Sequence, residues 1–303
     1  MAWNGAVAIA VVCLALGART GFAADDTYEL RYKFQAGQFI YYEVENKTKM
    51  VSQYGERSEE MVNFTRTWKQ LRVVSVDEQG GAMLEPLIER VQMSAKWDEK
   101  DPILYDSGTD DEPPMQFLAV KKSVGRVQAQ FHVDALGDLV KVTPLIKDDA
   151  ALLEAAKSND PRLNFLVVLP KGRVRIGETW KDRFKTEVTV SKELKQSVEI
   201  QRTYELAEVK GTIAMIKLRS GPVTPVTDPQ IKVQLMQRTP KGIIEFDLEQ
   251  GTMRSMSTTI DEQVVNAFGP QTSVHAVTKS EDKLLSAAPN LKSVKRITEA
   301  VTK

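Results

Sequence analysis

Apolar residues in this chain alternate with polar ones far more often than they recur at helical spacing, which is the pattern of half-buried strands. Tyr28, Leu30, Tyr32 and Phe34 occupy every second position of the first run. The same period of two predicts strands over 39–51, 60–76, 82–97 and 127–133, then over 178–193, 197–209, 213–219, 232–237, 242–248, 252–265 and 272–284. Pro86 lies inside one of these runs, and a residue without an N–H to donate belongs at a strand edge or a bulge. Helical spacing is confined to 115–122, with Phe117 and Leu118, and to 144–169, where Asn159-Asp160-Pro161 forces a break. Strands and helices do not alternate regularly, so a parallel doubly wound sheet is disfavoured. A mainly β (α+β) chain with antiparallel sheet and a few covering helices is expected.

One piece of this pattern occurs twice, as Val62-x-Phe64-x-Arg66-Thr67-Trp68 and as Val198-x-Ile200-x-Arg202-Thr203-Tyr204. Each copy is followed by a turn and then Ala-Met-aliphatic, at Ala82-Met83-Leu84 and Ala214-Met215-Ile216. Further on, Phe131-x-Val133-Asp134 reaches Gly137 as Ile244-x-Phe246-Asp247 reaches Gly251, and Gly37 and Gly177 each precede an extended segment. Ordered matches of this kind predict duplication, with two tandem curved β-sheet units at 24–143 and 171–285, a helical connection at 144–170 and a tail at 286–303.

The first residues differ from the rest. An apolar run from Ala6 to Ala18, followed by Gly21 and Ala23, has the form of a secretory signal cleaved after Ala23 and is too short for a stable membrane anchor. Cys13, the single cysteine, falls inside that run, so the exported chain of 280 residues is expected to hold itself together without disulfides. Lysine and arginine number 41 and aspartate and glutamate 41. No global field steers the chain to nucleic acid, and its aromatics are scattered along strands rather than interleaved with a basic stripe.

Candidate chemistry is sparse. The two histidines, His132 and His275, have no companion ligands nearby in sequence, and no serine-hydrolase elbow or phosphate-cradling loop occurs, so no cofactor or metal is expected. Asp106, Asp110, Asp111 and Glu112 crowd one loop, which reads better as a solvated acidic turn than as a calcium site. Asn46-Lys47-Thr48 and Asn63-Phe64-Thr65 match the glycosylation pattern but fall inside predicted strands. The candidate contact residues are therefore Arg66 and Arg202 with their aromatic neighbours Trp68 and Tyr204. Each arginine either pairs within the fold or meets an anionic group of a ligand in a groove.

Around Leu169-Pro170, Val174, Gly177, Trp180 and the Asp247–Gly251 turn, the chain resembles a family of exported bacterial proteins of unknown function, of the planctomycete type. The resemblance implies a two-part β architecture after a signal peptide, loosely similar to the half-barrels of periplasmic lipoprotein carriers, and it supplies no catalytic residues. The expectation is an exported, non-enzymatic binding protein for an apolar ligand or a lipidated or protein partner. A structural or interaction module with filled cores is the alternative, and a carboxylate-dependent hydrolase the third.

Overall fold

The computed structural model describes residues 26–145, 166–189 and 195–297. The expected signal segment and most of the expected helical connection lie outside the described residues. Among the described residues twelve strands are present: β1 (Phe39–Tyr54), β2 (Arg57–Val76), β3 (Ala82–Trp97), β4 (Ile103–Asp106), β5 (Ala129–Val133), β6 (Leu139–Pro144), β7 (Thr179–Thr189), β8 (Lys195–Lys210), β9 (Ile213–Pro222), β10 (Lys241–Asp247), β11 (Thr252–Val265) and β12 (Thr272–Leu285). They form one antiparallel sheet in the order β6-β5-β3-β2-β1-β12-β11-β10-β9-β8-β7, with β4 on β3 alone and, among the described residues, no ladder joining the two ends. Where two tandem curved β-sheet units were expected, there is one sheet: β1 pairs with β12 along its length, from Tyr41 with Leu285 to Tyr54 with Thr272.

Other boundaries follow the alternation closely, and the departures have local causes. The stretch 232–237, read as strand, is instead the end of a helix, α2 (Pro229–Leu235), and the single turn after it. Asp228 accepts a hydrogen bond from the Gln230 N–H at 2.8 Å, and Pro229 fills the first turn, so a cap and a proline override a short alternating run. The helix expected at 115–122 is one 3-10 turn followed by α1 (Leu118–Lys121). Pro86 pairs with Leu71 of β2. On its other side it sits between the stretch of β3 that pairs with β5 and the stretch that pairs with β4, beside a bulge, as its missing donor requires.

The first alternating segment, 28–34, is a plug rather than a ladder strand. Its one bridge joins Tyr28 to Val174, while Leu30 and Tyr32 are buried in the main core with Leu71, Leu84, Leu206, Ile216 and Phe246. Tyr32 packs edge-on to Phe246 at 5.4 Å and stacks on Phe34 at 5.3 Å. Its hydroxyl donates to the Val167 carbonyl at 3.1 Å and accepts from the Val167 N–H at 2.7 Å. The residues that follow Val167 tie both extremities of the sheet. Leu169 N–H donates to the Leu136 carbonyl in the β5–β6 turn at 2.8 Å, and the Val168 carbonyl accepts from Trp180 Nε1 of edge strand β7 at 2.8 Å. One end of the open sheet is therefore drawn around a solid core by a segment that belongs to neither edge.

The opposite face is closed over β3 by a polar network. Arg90 donates to both oxygens of Asp106, at 2.8 Å from Nε and 2.5 Å from Nη2, and Gln92 donates to the same carboxylate at 2.9 Å. Arg90 also donates to the Leu291 carbonyl and Gln92 to that of Lys295, which holds the C-terminal segment across the sheet. The acidic loop is thus not simply solvated: Asp106 is wholly buried, and its hydrogen bonds hold its carboxyl below the usual range against the burial that would raise it.

Gly137 marks how tightly the plugged end is built. It sits at φ +79°, and a Cβ there would lie 2.7 Å from the Tyr32 ring and 2.8 Å from the Val167 carbonyl oxygen. Gly211 has φ +59° with nothing within 4 Å. Gly211→Ala should cost about 1 kcal/mol of backbone strain, and Gly137→Ala at least roughly 2 kcal/mol more, because the plug must move. Equal losses in denaturant unfolding would show that the Tyr32 contact does not hold this end.

Candidate functional site

Away from the plug, the same inner face changes character. Along β1 its side chains run Ile40, Tyr42, Val44, Asn46 and Thr48, apolar near the core and polar beyond it. Register fixes their neighbours. One cross-strand row is Thr67, Val44, Asp282 and Met256; the next is Thr65, Asn46, Ser280 and Thr258; the next is Asn63, Thr48, Thr278 and Ile260. The Thr48 and Thr278 hydroxyls meet at 3.0 Å, and Gln237, on the turn after α2, donates to Thr278 at 3.4 Å. A cavity of about 310 Å³ opens over these rows, lined by Asn46, Thr258, Thr278, Ser280 and Asp282 together with the apolar Val44, Leu218, Pro240, Met256 and Ile260.

Its inner end holds a buried pair of charges. Lys69 faces Tyr42 across β2 and β1, and Asp282 lies one row away on β12; both are nine-tenths or more buried. Burial pushes the Asp282 carboxyl up to about 6, with the Lys69 ammonium pulling against it, and burial lowers Lys69 while Asp282 opposes. Tyr42, between them, has its hydroxyl raised by burial and gives its hydrogen bond to the Met253 carbonyl at 2.9 Å. A desolvated pair is costly to an isolated fold. Here its acid, Asp282, lines the cavity over these rows.

The sequence-derived candidates do not converge. Arg66 and Trp68 lie on the outer face of β2, where Arg66 pairs with Glu45 at 2.5 Å and Trp68 Nε1 donates to Glu43 at 2.8 Å. Arg202 and Tyr204 lie on the inner face of β8, six strands away in the sheet order. Arg202 pairs with buried Asp182 and sits over the Phe184 ring at 4.8 Å, and Tyr204 stacks on Trp180 at 5.5 Å.

The apparent match between the two arginines is also out of register. Gly37 and Gly177, both at positive φ, donate to Val73 of β2 and Leu206 of β8, and Val73 and Leu206 donate back to Gln38 and Glu178. Counted from these anchors, the position of Arg202 corresponds to Lys69, and that of Arg66 to Glu199. The motif match is shifted by three residues, an odd number, and so places its two copies on opposite faces.

The groove residues carry no conspicuous signal in the sequence because each is ordinary alone. The available signal was in the two Asn-x-Thr triplets: Asn46 pairs with Thr65 and Thr48 with Asn63, so two dismissed motifs face each other and break the apolar face of adjacent strands. The histidines are peripheral, His132 with Asp77 at 3.3 Å and His275 with Asp261 at 2.8 Å. Among the described residues no cluster of three or more His, Cys, Asp or Glu could hold a metal ion, and no helix is long and apolar enough to cross a membrane.

No family model matches this chain. No curated protein matches it either, so the resemblance to exported bacterial proteins gains nothing from these comparisons. Among solved structures, the chain is similar to one titled "Lipid-protein interactions in lipovitellin", with a TM-score of 0.47 and 11% identity, over 88% of this chain and 27% of that one.

The folded chain holds the Asp282 proton to about pH 6, whereas an unfolded aspartate releases it near 4. Stability from this group is therefore complete below about pH 4 and lost as pH rises through 6, by roughly 3 kcal/mol. Unfolding free energies of the wild type and Asp282→Asn, measured from pH 4 to 7, should diverge by about that amount, with the wild type losing stability. Parallel profiles would place the carboxyl in contact with water.

Proposed function

We propose that this protein is a non-enzymatic binding protein that holds an amphipathic ligand against the inner face of its sheet. The observation that carries the reading is the break in that face: a filled core gives way to rows in which the hydroxyl and amide side chains of Thr65, Asn46, Ser280, Thr258, Thr48 and Thr278 adjoin the apolar Val44, Met256 and Ile260, beside buried Lys69 and Asp282. The pair has no net charge, and the rows offer donors and acceptors without charge. Such a lining matches an uncharged hydrogen-bonding head, with an apolar tail along Leu218, Met256 and Ile260. The expected apolar ligand is refined in this way, and the exported location suggested by the first 23 residues is kept as part of the proposal.

Two further parts of the sequence reading support the same picture as proposals. The order of strands is consistent with a duplicated meander, β1-β2-β3-β5-β6 and β7-β8-β9-β10-β11, each with a helix after its third strand. Its two inner faces would carry equivalent buried cations, Lys69 and Arg202. In the second copy Asp182 faces the cation directly; in the first that place is taken by Tyr42, and the acid comes from β12. A hydrolase would need two facing acids with altered affinity for protons. The carboxyls raised by burial are Asp282 and Glu89, which lie on β12 and β3 with β1 and β2 between them.

Native mass spectrometry of protein purified from its own host should show a bound amphiphile, released by organic solvent. In displacement of an environment-sensitive probe, a monoacylglycerol should compete more strongly than the fatty acid of equal length. Ser280→Trp, which fills the groove, should weaken either by on the order of tenfold or more without lowering the thermal midpoint. An empty protein that binds neither probe would overturn the reading in favour of a structural module.

A further inference from the structure

The C-terminal segment crosses the outer face of β3 without a core of its own. Leu291, Val294 and Ile297 are only half-buried, and none belongs to a hydrophobic cluster. What holds the segment is its main chain. Arg90 donates to the carbonyls of Leu291 and Val294, and Gln92 to that of Lys295 at 2.9 Å. Arg296 adds an ion pair with Asp110. The N–H groups of Leu291, Ser293 and Val294 turn back to carbonyls of the segment itself. Contacts of this kind read a backbone and one basic residue rather than a sequence.

The floor beneath is incompletely matched. Gln92 Nε2 gives its hydrogens to two acceptors, the Asp106 carboxylate and the Lys295 carbonyl, each at 2.9 Å, which fixes the amide and leaves Oε1 without a donor. Two residues along the same face of β3, the Ser94 hydroxyl also has no partner. Gln92 is wholly buried and Ser94 is 2% exposed, so bulk water does not serve either group. Charge points the same way. The loop from Asp106 to Glu112 holds four acids and no cation, whereas 286–297 carries Lys292, Lys295 and Arg296 and no acid.

We propose that the outer face of β3 is a recognition site for a basic segment of another protein chain, and that the C-terminal segment occupies it as an internal stand-in which such a partner displaces. The partner's carbonyls take the N–H groups of Arg90 and Gln92, and one of its cations takes Asp110. A second cationic side chain reaches Gln92 Oε1 and Ser94 Oγ, the two buried groups that the chain's own tail leaves unmatched. That extra charge-assisted contact is what lets a partner compete with a tail held at high effective concentration. The inference stands on the outer face alone and does not depend on what the groove holds.

A fluorescein-labelled peptide with the sequence of residues 286–297, titrated with the full chain to about 1 mM, tests this by anisotropy. The peptide should bind, and Arg296→Ala in the protein, which loosens the stand-in, should tighten it by roughly threefold. Arg296→Ala in the peptide should weaken it by a similar factor, and in Asp110→Asn protein the two peptides should bind alike, because the lost pair joins those two residues. The segment advances along β3 from Arg90 to Gln92, so its next half-buried residue, Ile297, lies toward Ser94. A peptide carrying Ile297→Lys should therefore bind on the order of tenfold tighter. No binding, or peptide affinity indifferent to Asp110, would overturn the proposal. Ile297→Lys without gain would do the same, since it would leave a trapped water as the partner of Gln92 and Ser94. A solution dimer of the full chain that the peptide dissociates would give the site to a second copy's tail and contradict the assignment to another protein.

Discussion

The two hydrogen bonds between the Tyr32 hydroxyl and the Val167 peptide unit are the constraint on which the rest of the structure depends. An open sheet of this width has two free edges and twice the area of face that its own side chains can bury. Tyr32 belongs to the segment before β1, and Val167 to the segment before β7. The residues next to Val167 hold the β5–β6 turn and β7. Fixing Tyr32 to Val167 thus gathers both extremities of the sheet around one core without closing a barrel. It also decides where the core stops. Leu30, Leu71, Leu206 and Phe246 fill the gathered end, and nothing of comparable size from the plug reaches the rows that begin at Asn46.

That division gives the inner face two different chemistries on the same strands. Near the plug, alternation places tyrosine, leucine and valine inward. Farther along, the same inward positions carry threonine, serine and asparagine, which would waste burial if they faced a packed core. The charged pair stands at the boundary, where Lys69 and Asp282 are deep enough to be desolvated and Asp282 lines the cavity. A chain selected for stability alone would fill such a place with leucine, since a buried ion pair seldom repays its desolvation. The polar rows and the pair make sense together if something other than water occupies the cavity.

Much of the fold was legible from period alone. Strands at 82–97 and 252–265 are placed to the residue and most other long strands to within a few positions, because long half-buried strands announce themselves by alternation. The short β4 and β6 carry too few alternating positions to be bounded, and the run at 28–34 alternates without joining a ladder. The helix α2 was misread because Lys232 to Gln237 alternates weakly while its Asp-Pro cap, three residues earlier, carries the decisive information. The continuity of the sheet was not legible, since β1 and β12 are more than two hundred residues apart and nothing local records their pairing. The site was the least visible part. Arg66 and Arg202 stood out because charge on an apolar strand is conspicuous, yet both pair within the fold. The groove is built of small neutral residues whose meaning appears once register sets them side by side.

The central claim is that the inner face beyond the core is a ligand site rather than an imperfectly filled one. It is tested most directly by a crystal structure of the protein purified from its own host without added lipid or detergent. The account predicts elongated density over Asn46, Thr278 and Ser280, with its polar end against Asp282 and its apolar end along Met256 and Ile260. Ordered water alone over those rows, or side chains of the chain itself folded into the space, would contradict it.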